Sequence, residues 1–138
     1  MRILAIDPGK KRVGVAISDP TGTLATPLVT LEGRDQAKLL DQLEGLVGEH
    51  SVERVLVGHP KNMDGTIGPA AKAAQRLARA LEERLRVPVE LVDERLSSSQ
   101  ARVAMREAGT SPKKARQKVD QMAAVVVLQA YLERNRSS

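Results

Sequence analysis

Two periodicities alternate along the chain and divide it into elements. Ile3 to Ile6 is a short apolar run that stops at Asp7-Pro8-Gly9, a strand closed by a turn. Val13 to Ser18 repeats the pattern and closes on Asp19-Pro20 and Gly22, and Leu24 to Leu31 makes a third extended segment. Pro27 lies inside that third run and lacks the N–H that a central strand needs, so the run is expected at a sheet edge or a bulge. Three strands this close in sequence predict an antiparallel meander.

The period then lengthens. Leu39, Leu40, Leu43, Leu46 and Val47 fall on one helical face. Arg54 to Gly58 is a compact apolar strand, followed by a glycine-rich loop that reaches Gly68. Pro69 suits the first position of a helix whose apolar face is Ala70, Ala74, Leu77, Leu81 and Leu85. Val87 to Asp93 is a further strand. Ser97, with Gln100 three residues on, has the form of a capping box and opens a helix to about Glu107, ended by Gly109. Ser111-Pro112 restarts a helical segment, and Val119 to Leu132 forms a last helix that is apolar on most of its circumference and therefore buried. Strands separated by helices imply right-handed crossovers and parallel pairing. The expected architecture is a three-layer α/β fold on a mixed five-stranded sheet, a three-strand antiparallel meander plus two parallel strands, flanked by helices. At 138 residues the chain suffices for one core, and residues 1–138 are read as a single domain.

Composition removes several chemistries. With Cys at 0, disulfide scaffolds, thiolate metal sites and cysteine nucleophiles are excluded, and His at 2 argues against a multi-histidine metal centre. Tyr131 is the sole aromatic, which disfavours readers that stack bases on rows of aromatic rings. The longest apolar stretch, Met122 to Leu128, is too short to span a bilayer, and the start MRILAIDPG has no signal-peptide pattern. The expectation is a soluble cytoplasmic protein with no membrane partner.

Charge is unevenly spread. The formal net charge is +5, but residues 1–69 hold 8 basic and 9 acidic side chains while residues 70–138 hold 14 and 8. From Arg95 to Lys118 the cations Arg95, Arg102, Arg106, Lys113, Lys114, Arg116 and Lys118 face only Glu107. A charge run by itself reads as a solvated helix face. This one is flanked by Glu94 and Asp120, so a polyanion drawn to it would be delivered to carboxylates, an arrangement suited to phosphodiester chemistry.

Acids also sit where apolar segments stop: Asp7 after the first run, Asp93 and Glu94 after the last strand, and Asp120 near the start of the last helix. Ligand sites of open α/β sheets collect at the carboxyl ends of parallel strands. Carboxylates gathered there repel one another unless cations neutralise them, and hard oxygen donors suit Mg²⁺ or Mn²⁺. Two such ions about 4 Å apart activate water and stabilise the leaving oxygen of a phosphodiester. Each acid taken singly reads equally well as a cap or turn residue, Asp120 most of all, and strand parity does not choose between Asp93 and Glu94.

The loop Gly58 to Gly68 lacks the P-loop pattern; Asn62 and Asp64 read as turn residues, and Lys61 with the backbone N–H groups is a candidate phosphate contact. His59 is a possible general base, although a lone histidine beside Pro60 reads first as a turn residue. His50, near a helix end, invites no chemistry. Arg12, beside Lys10 and Lys11, is a candidate phosphate contact.

Four motifs resemble one family from end to end. These are Asp7-x-Gly9-x-x-Arg12-x-Gly14-x-Ala16-x-Ser18-Asp19, Val57-Gly58-x-Pro60-x-Asn62-Met63-Asp64-Gly65, Asp93-Glu94-Arg95-Leu96-Ser97 and Asp120-x-x-Ala123-Ala124. Together they resemble the YqgF (RuvX) family of small RNase H-like bacterial proteins, associated with pre-16S rRNA maturation and with Holliday junction resolution. The resemblance implies a metal-dependent nuclease in which Asp7, Glu94 and Asp120 form a catalytic, metal-holding triad. It thereby selects Glu94 over Asp93. It further implies a cytoplasmic role in maturing the 5′ end of pre-16S rRNA, with branched DNA as the other substrate. His59 and Lys61 stand where the family has apolar residues, and Ser97 replaces a threonine.

On this reading Arg12, Lys61, Arg95, Lys113, Lys114 and Lys118 hold the phosphate backbone of structured RNA, or of branched or single-stranded DNA. The protein acts as a monomer or weak homodimer with a two-ion Mg²⁺ or Mn²⁺ site. The absence of Phe and Trp counts against a resolvase that wedges an aromatic ring into a junction. Two other classes compete: a non-catalytic ribosome-assembly factor using only its cations, and an actin- or sugar-kinase-like ATPase, which needs two such domains facing each other.

Overall fold

A computed structural model describes residues 1–9, 11–60, 64–93 and 112–136, with the backbone alone for 112–120 and 135–136. The strands are β1 (Ile3–Asp7), β2 (Arg12–Ser18), β3 (Ala25–Glu32), β4 (Arg54–His59) and β5 (Val89–Asp93); the helices are α1 (Gln36–Glu49), α2 (Pro69–Arg84) and α3 (Pro112–Arg136). They form a five-stranded sheet in the order β3-β2-β1-β4-β5. The first three strands pair antiparallel, and β4 and β5 join parallel to β1. This is the expected meander plus two parallel strands. Pro27 lies on the edge strand β3 opposite Ala16, where the register shifts, so its missing N–H leaves no central ladder broken.

The two faces of the sheet are built from different sizes of side chain. Leu4 and Ile6 of β1, Val13 and Val15 of β2 and Val55 and Val57 of β4 pack under Leu39 and Leu43 of α1 and Leu77 and Leu81 of α2. Ile3, Ala5, Ala16, Leu56 and Val92 turn the other way, against Ala124, Val127, Leu128 and Leu132 of α3. The central strands β1 and β4 therefore read as unbroken apolar runs because both of their faces are covered. Toward α3, the middle of β2 offers the small residues Gly14 and Ala16, and α3 answers with Ala123 and Ala124, both buried. Small against small lets this helix lie close to the sheet.

Side chains fix the direction of α3. Gln129 Oε1 accepts from the backbone N–H of Ala25, at the start of β3, at 2.9 Å. Gln121 Nε2 donates to Thr30 Oγ1, near the end of β3, also at 2.9 Å. Since β3 is parallel to β1, α3 runs against both and its N-terminal half lies toward the carboxyl edge of the sheet.

One boundary departs from the sequence pattern. The segment restarted at Pro112 and the helix expected from Val119 are a single helix, so Asp120 lies in its interior and is not an N-cap. The Lys, Arg, Gln and Ala residues before Val119 lack an apolar period but are good helix formers, and Pro112 occupies the first position. The helix expected from Ser97 to Glu107 lies outside the described residues. Among the described residues no helix is long and apolar enough to cross a membrane.

Candidate functional site

The carboxyl edge of β1 gathers the candidate chemistry. Asp7 is the last residue of β1 and half-buried; following Ile3 and Ala5 in alternation, it belongs to the α3 side of the sheet. The turn after it is tight: a Cβ on Gly9 would overlap the carbonyl oxygen of Arg12, so the chain reverses only because that side chain is absent. Arg12, half-buried, opens β2 and shares the α3 side with Gly14 and Ala16.

Register carries the line across the sheet. Asp7 pairs with Gly14, and Gly14 with Thr30, so the three form one row. Gln121 reaches that row through its bond to Thr30. Asp120 precedes it on the helix backbone, and Ala123, Ala124 and Val127 in the following turns are buried. Lys113, Lys114 and Lys118 occupy earlier turns of the same helix, which extends about 12 Å beyond Asp120 to Pro112.

Asp93 goes the other way. β5 is an edge strand and not a centre strand covered on both sides; Leu91 is 38% exposed. Val92 packs in the α3-side cluster, so its neighbour Asp93 falls on the α1–α2 side, in register with His59. Glu94, Arg95, Lys61 and Asn62 lie outside the described residues. Asp64 is a turn residue as expected, its Oδ1 accepting from Thr66 N at 3.0 Å and from the Thr66 hydroxyl at 2.6 Å. His50 ends α1 as its C-cap.

His59 corrects the sequence reading. It is no turn residue: it extends β4, is buried, and its Nε2 lies 3.2 Å from Nε2 of Gln75 on α2. With the Gln75 amide donating, the ring accepts at Nε2 and carries its proton on Nδ1. In alternation with Val55 and Val57 it faces α2, away from Asp7. The helical spacing of Gln75 against the strand was not a signal that sequence alone offers.

A divalent ion fits the donors in chemistry: a half-buried carboxylate at a strand end, a second acid in the N-terminal half of α3, and no cysteine in the chain. Among the described residues, no group of three or more His, Asp or Glu side chains that could hold a metal ion lies together.

Comparison with known proteins gives this arrangement its relatives. The family model described as "RuvX: Holliday junction resolvase" matches residues 1–134. A Clostridium botulinum (strain Alaska E43 / Type E3) protein named "Putative pre-16S rRNA nuclease" is 43% identical over 134 residues, covering 97% of this chain and 98% of its own. A Bacillus cytotoxicus protein of the same name is 47% identical over 135 residues, covering 96% and 98%. In fold, the chain resembles Thermus thermophilus RuvC, with a TM-score of 0.61 at 12% identity over 99% of this chain and 97% of that one. It also resembles the Fowlpox virus resolvase in its complex with Holliday junction DNA, with a TM-score of 0.58 at 12% identity over 98% and 99%. The strand order and the helix across β1 to β3 are those of an RNase H-like, RuvC-type fold, and the chain belongs to the RuvX (YqgF) family.

Proposed function

We propose that this chain is a divalent-metal-dependent nuclease that hydrolyses phosphodiester bonds in structured RNA, its task being the maturation of the 5′ end of pre-16S rRNA in the cytoplasm. One observation supports the chemistry: the row that Asp7 begins at the carboxyl edge of the sheet ends on Thr30, which Gln121, the residue after Asp120, holds by a hydrogen bond. The names carried by the relatives support the activity and the RNA substrate.

Asp7, Glu94 and Asp120 are the acids we assign to the metal, with Asp93 set aside because it faces α2. Mg²⁺ or Mn²⁺ suits three carboxylates and no thiolate, and a pair of ions is the arrangement we assign. When bound, such ions supply Lewis-acid stabilisation of the charge that builds on the phosphodiester oxygens. The chain's own part is to orient. Packing of α3 on β2 sets the separation of Asp120 from Asp7, and the Gly9 turn aims Arg12 along the same edge. Arg12, Lys61, Arg95, Lys113, Lys114 and Lys118 grip the phosphate backbone without reading bases, so binding falls with salt. We read residues 1–138 as one nuclease domain acting as a monomer or weak homodimer.

A second substrate, four-way DNA, is favoured by the fold shared with the resolvases; the absence of Phe and Trp argues against their aromatic wedge. The test is a cleavage assay with structured RNA, single-stranded RNA and a four-way DNA junction, each in Mg²⁺, Mn²⁺ and EDTA. Asp7→Asn should lose cleavage and keep salt-sensitive binding. Undiminished cleavage by that variant in metal-replete buffer removes Asp7 from the chemistry.

A further inference from the structure

On the α1–α2 side of the same edge lies a cavity of about 330 Å³. Its floor is the buried apolar trio Val13, Leu39 and Leu77, and Pro8 and Pro69 stand in its walls. Gln36 and Arg76 provide its polar edge, and neither side chain is engaged in a hydrogen bond or ion pair among the described residues. Pro8 and Gly9 follow Asp7 directly, which keeps the cavity wall within about 7 Å of the Asp7 Cα.

We propose that this cavity receives one unstacked base of the substrate strand, from a nucleotide adjacent to the scissile phosphate. The inference rests on the nuclease reading above and names a subsite of it. Size is the first argument, because the volume sits at the low end of small-molecule pockets, room for a base and its sugar and too little for a duplex. Surface chemistry is the second. A base presents two apolar faces and a hydrogen-bonding edge; the cavity offers an apolar floor, rigid proline rings of the kind that wedge against bases, an amide that both donates and accepts, and a guanidinium that stacks or donates.

Charge is the third argument. The exposed cations Lys11, Arg34, Lys38, Lys72 and Arg76 stand on the elements around the cavity, against Glu32, Asp35 and Asp64. Of those acids, Asp35 is committed to capping Lys38 N at 3.1 Å and Asp64 to Thr66 N at 3.0 Å. An anionic strand therefore suits this rim better than an apolar peptide or a second copy of the chain. A strand crossing the sheet edge would meet Asp7 on one side and the cavity on the other. The only aromatic ring, Tyr131, belongs to α3 on the far face, so no conventional stacking platform competes on this side.

The cavity can be filled from one helical position. Ala73 lines it, is exposed, and accepts leucine at only a small propensity cost. In NMR titrations, uridine and adenosine 5′-monophosphate should shift Ala70, Ala73 and Leu77 where ribose 5-phosphate and inorganic phosphate do not. Ala73→Leu should erase those shifts while leaving the circular dichroism spectrum unchanged. In cleavage, an abasic nucleotide beside the scissile phosphate should lower kcat/KM on the order of tenfold for the wild type. Ala73→Leu and Arg76→Ala should lose that much on the intact strand and little more on the abasic one. Shifts that are the same with ribose 5-phosphate, or a wild type indifferent to abasic substitution at every position scanned, overturn the base pocket and leave the nuclease standing. Undiminished cleavage by Asp7→Asn instead removes the reading on which it rests.

Discussion

Ala124→Leu should separate catalysis from folding. Ala124 is 1% exposed in the cluster that joins α3 to Ala5, Ala16 and Leu56, four residues and therefore about 6 Å along the helix from Asp120. Leucine adds three carbons where small residues hold helix and sheet close, and the least costly response is for α3 to lift away. Overpacking of this kind costs about 1–3 kcal/mol. If the wild type has about 5 kcal/mol of stability, the low end for a domain, at least about 2 kcal/mol remains and roughly 3% of the protein is unfolded. A displacement of about 1 Å between catalytic groups costs on the order of a hundredfold in rate. The two effects differ by far more than their errors, so kcat should fall about a hundredfold in a protein that remains folded.

The control is Leu43→Ala on α1, fully buried against the other face, where cavity formation costs about 2–5 kcal/mol. Measured as kcat per folded molecule, with the folded fraction from circular dichroism, that variant should match the wild type. Equal kcat in Ala124→Leu and wild type would refute the claim that the α3 contact sets the catalytic geometry. An equal fall in both variants would refute it too, by making the loss a general effect of destabilisation.

Gly9→Ala drives a Cβ into the Arg12 carbonyl, so urea denaturation should show a loss of about 1–3 kcal/mol and cleavage should fall with it; a midpoint and rate like the wild type would mean the turn is looser than described. Asp19 accepts hydrogen bonds from Leu24 N at 3.0 Å, from the Thr21 hydroxyl and from Thr23 N at 2.7 Å, which hold its carboxyl well below the usual carboxylate range. A carboxyl depressed in the folded state stabilises above its unfolded pKa, about 4, and loses that contribution as pH falls further. Asp19→Asn should therefore lower stability at pH 7 and flatten its acid limb below about pH 4, and denaturation curves at pH 3 and pH 7 that shift equally would contradict this. Gln121→Ala removes the bond to Thr30 and should lower kcat more than it lowers the melting temperature; the reverse ranking would make that contact merely structural.

Much of the fold was legible because core burial writes itself as period. The strands and α1 and α2 appear within three residues of where apolar spacing predicts them, and Pro27 announced its own edge position. Where burial did not dictate the residue, the pattern was silent. The first turns of α3 carry lysine, arginine and glutamine, so helix propensity extends the element past the point where its apolar period begins, and Asp120 looks like a cap only if that extension is missed. His59 was hidden for the opposite reason, since a polar residue at a strand end gives no sign that a glutamine on a helix sixteen residues later will satisfy it.

The carboxylates show the same division most sharply. Sequence spacing alone left Asp93 and Glu94 equivalent, because it assumed a strand covered on both faces. The structure makes β5 an edge, and Val89 and Val92 pack in opposite clusters, which turns Asp93 toward α2. The asymmetry between the two sheet faces then explains why the chemistry belongs on one of them. Large aliphatic side chains on the α1–α2 face hold those helices off the sheet and leave a cavity at its edge. Gly14 and Ala16 on the other face let α3 pack on β2 through its own small residues Ala123 and Ala124, and Gln121 at that level bonds Thr30 in the row of Asp7. On the proposed assignment, a helix held farther from the sheet would keep the same acids in the same order along the chain and leave them apart. The catalytic geometry proposed above is thus a consequence of packing volume on β2, and that is a property of residues which themselves carry no chemistry.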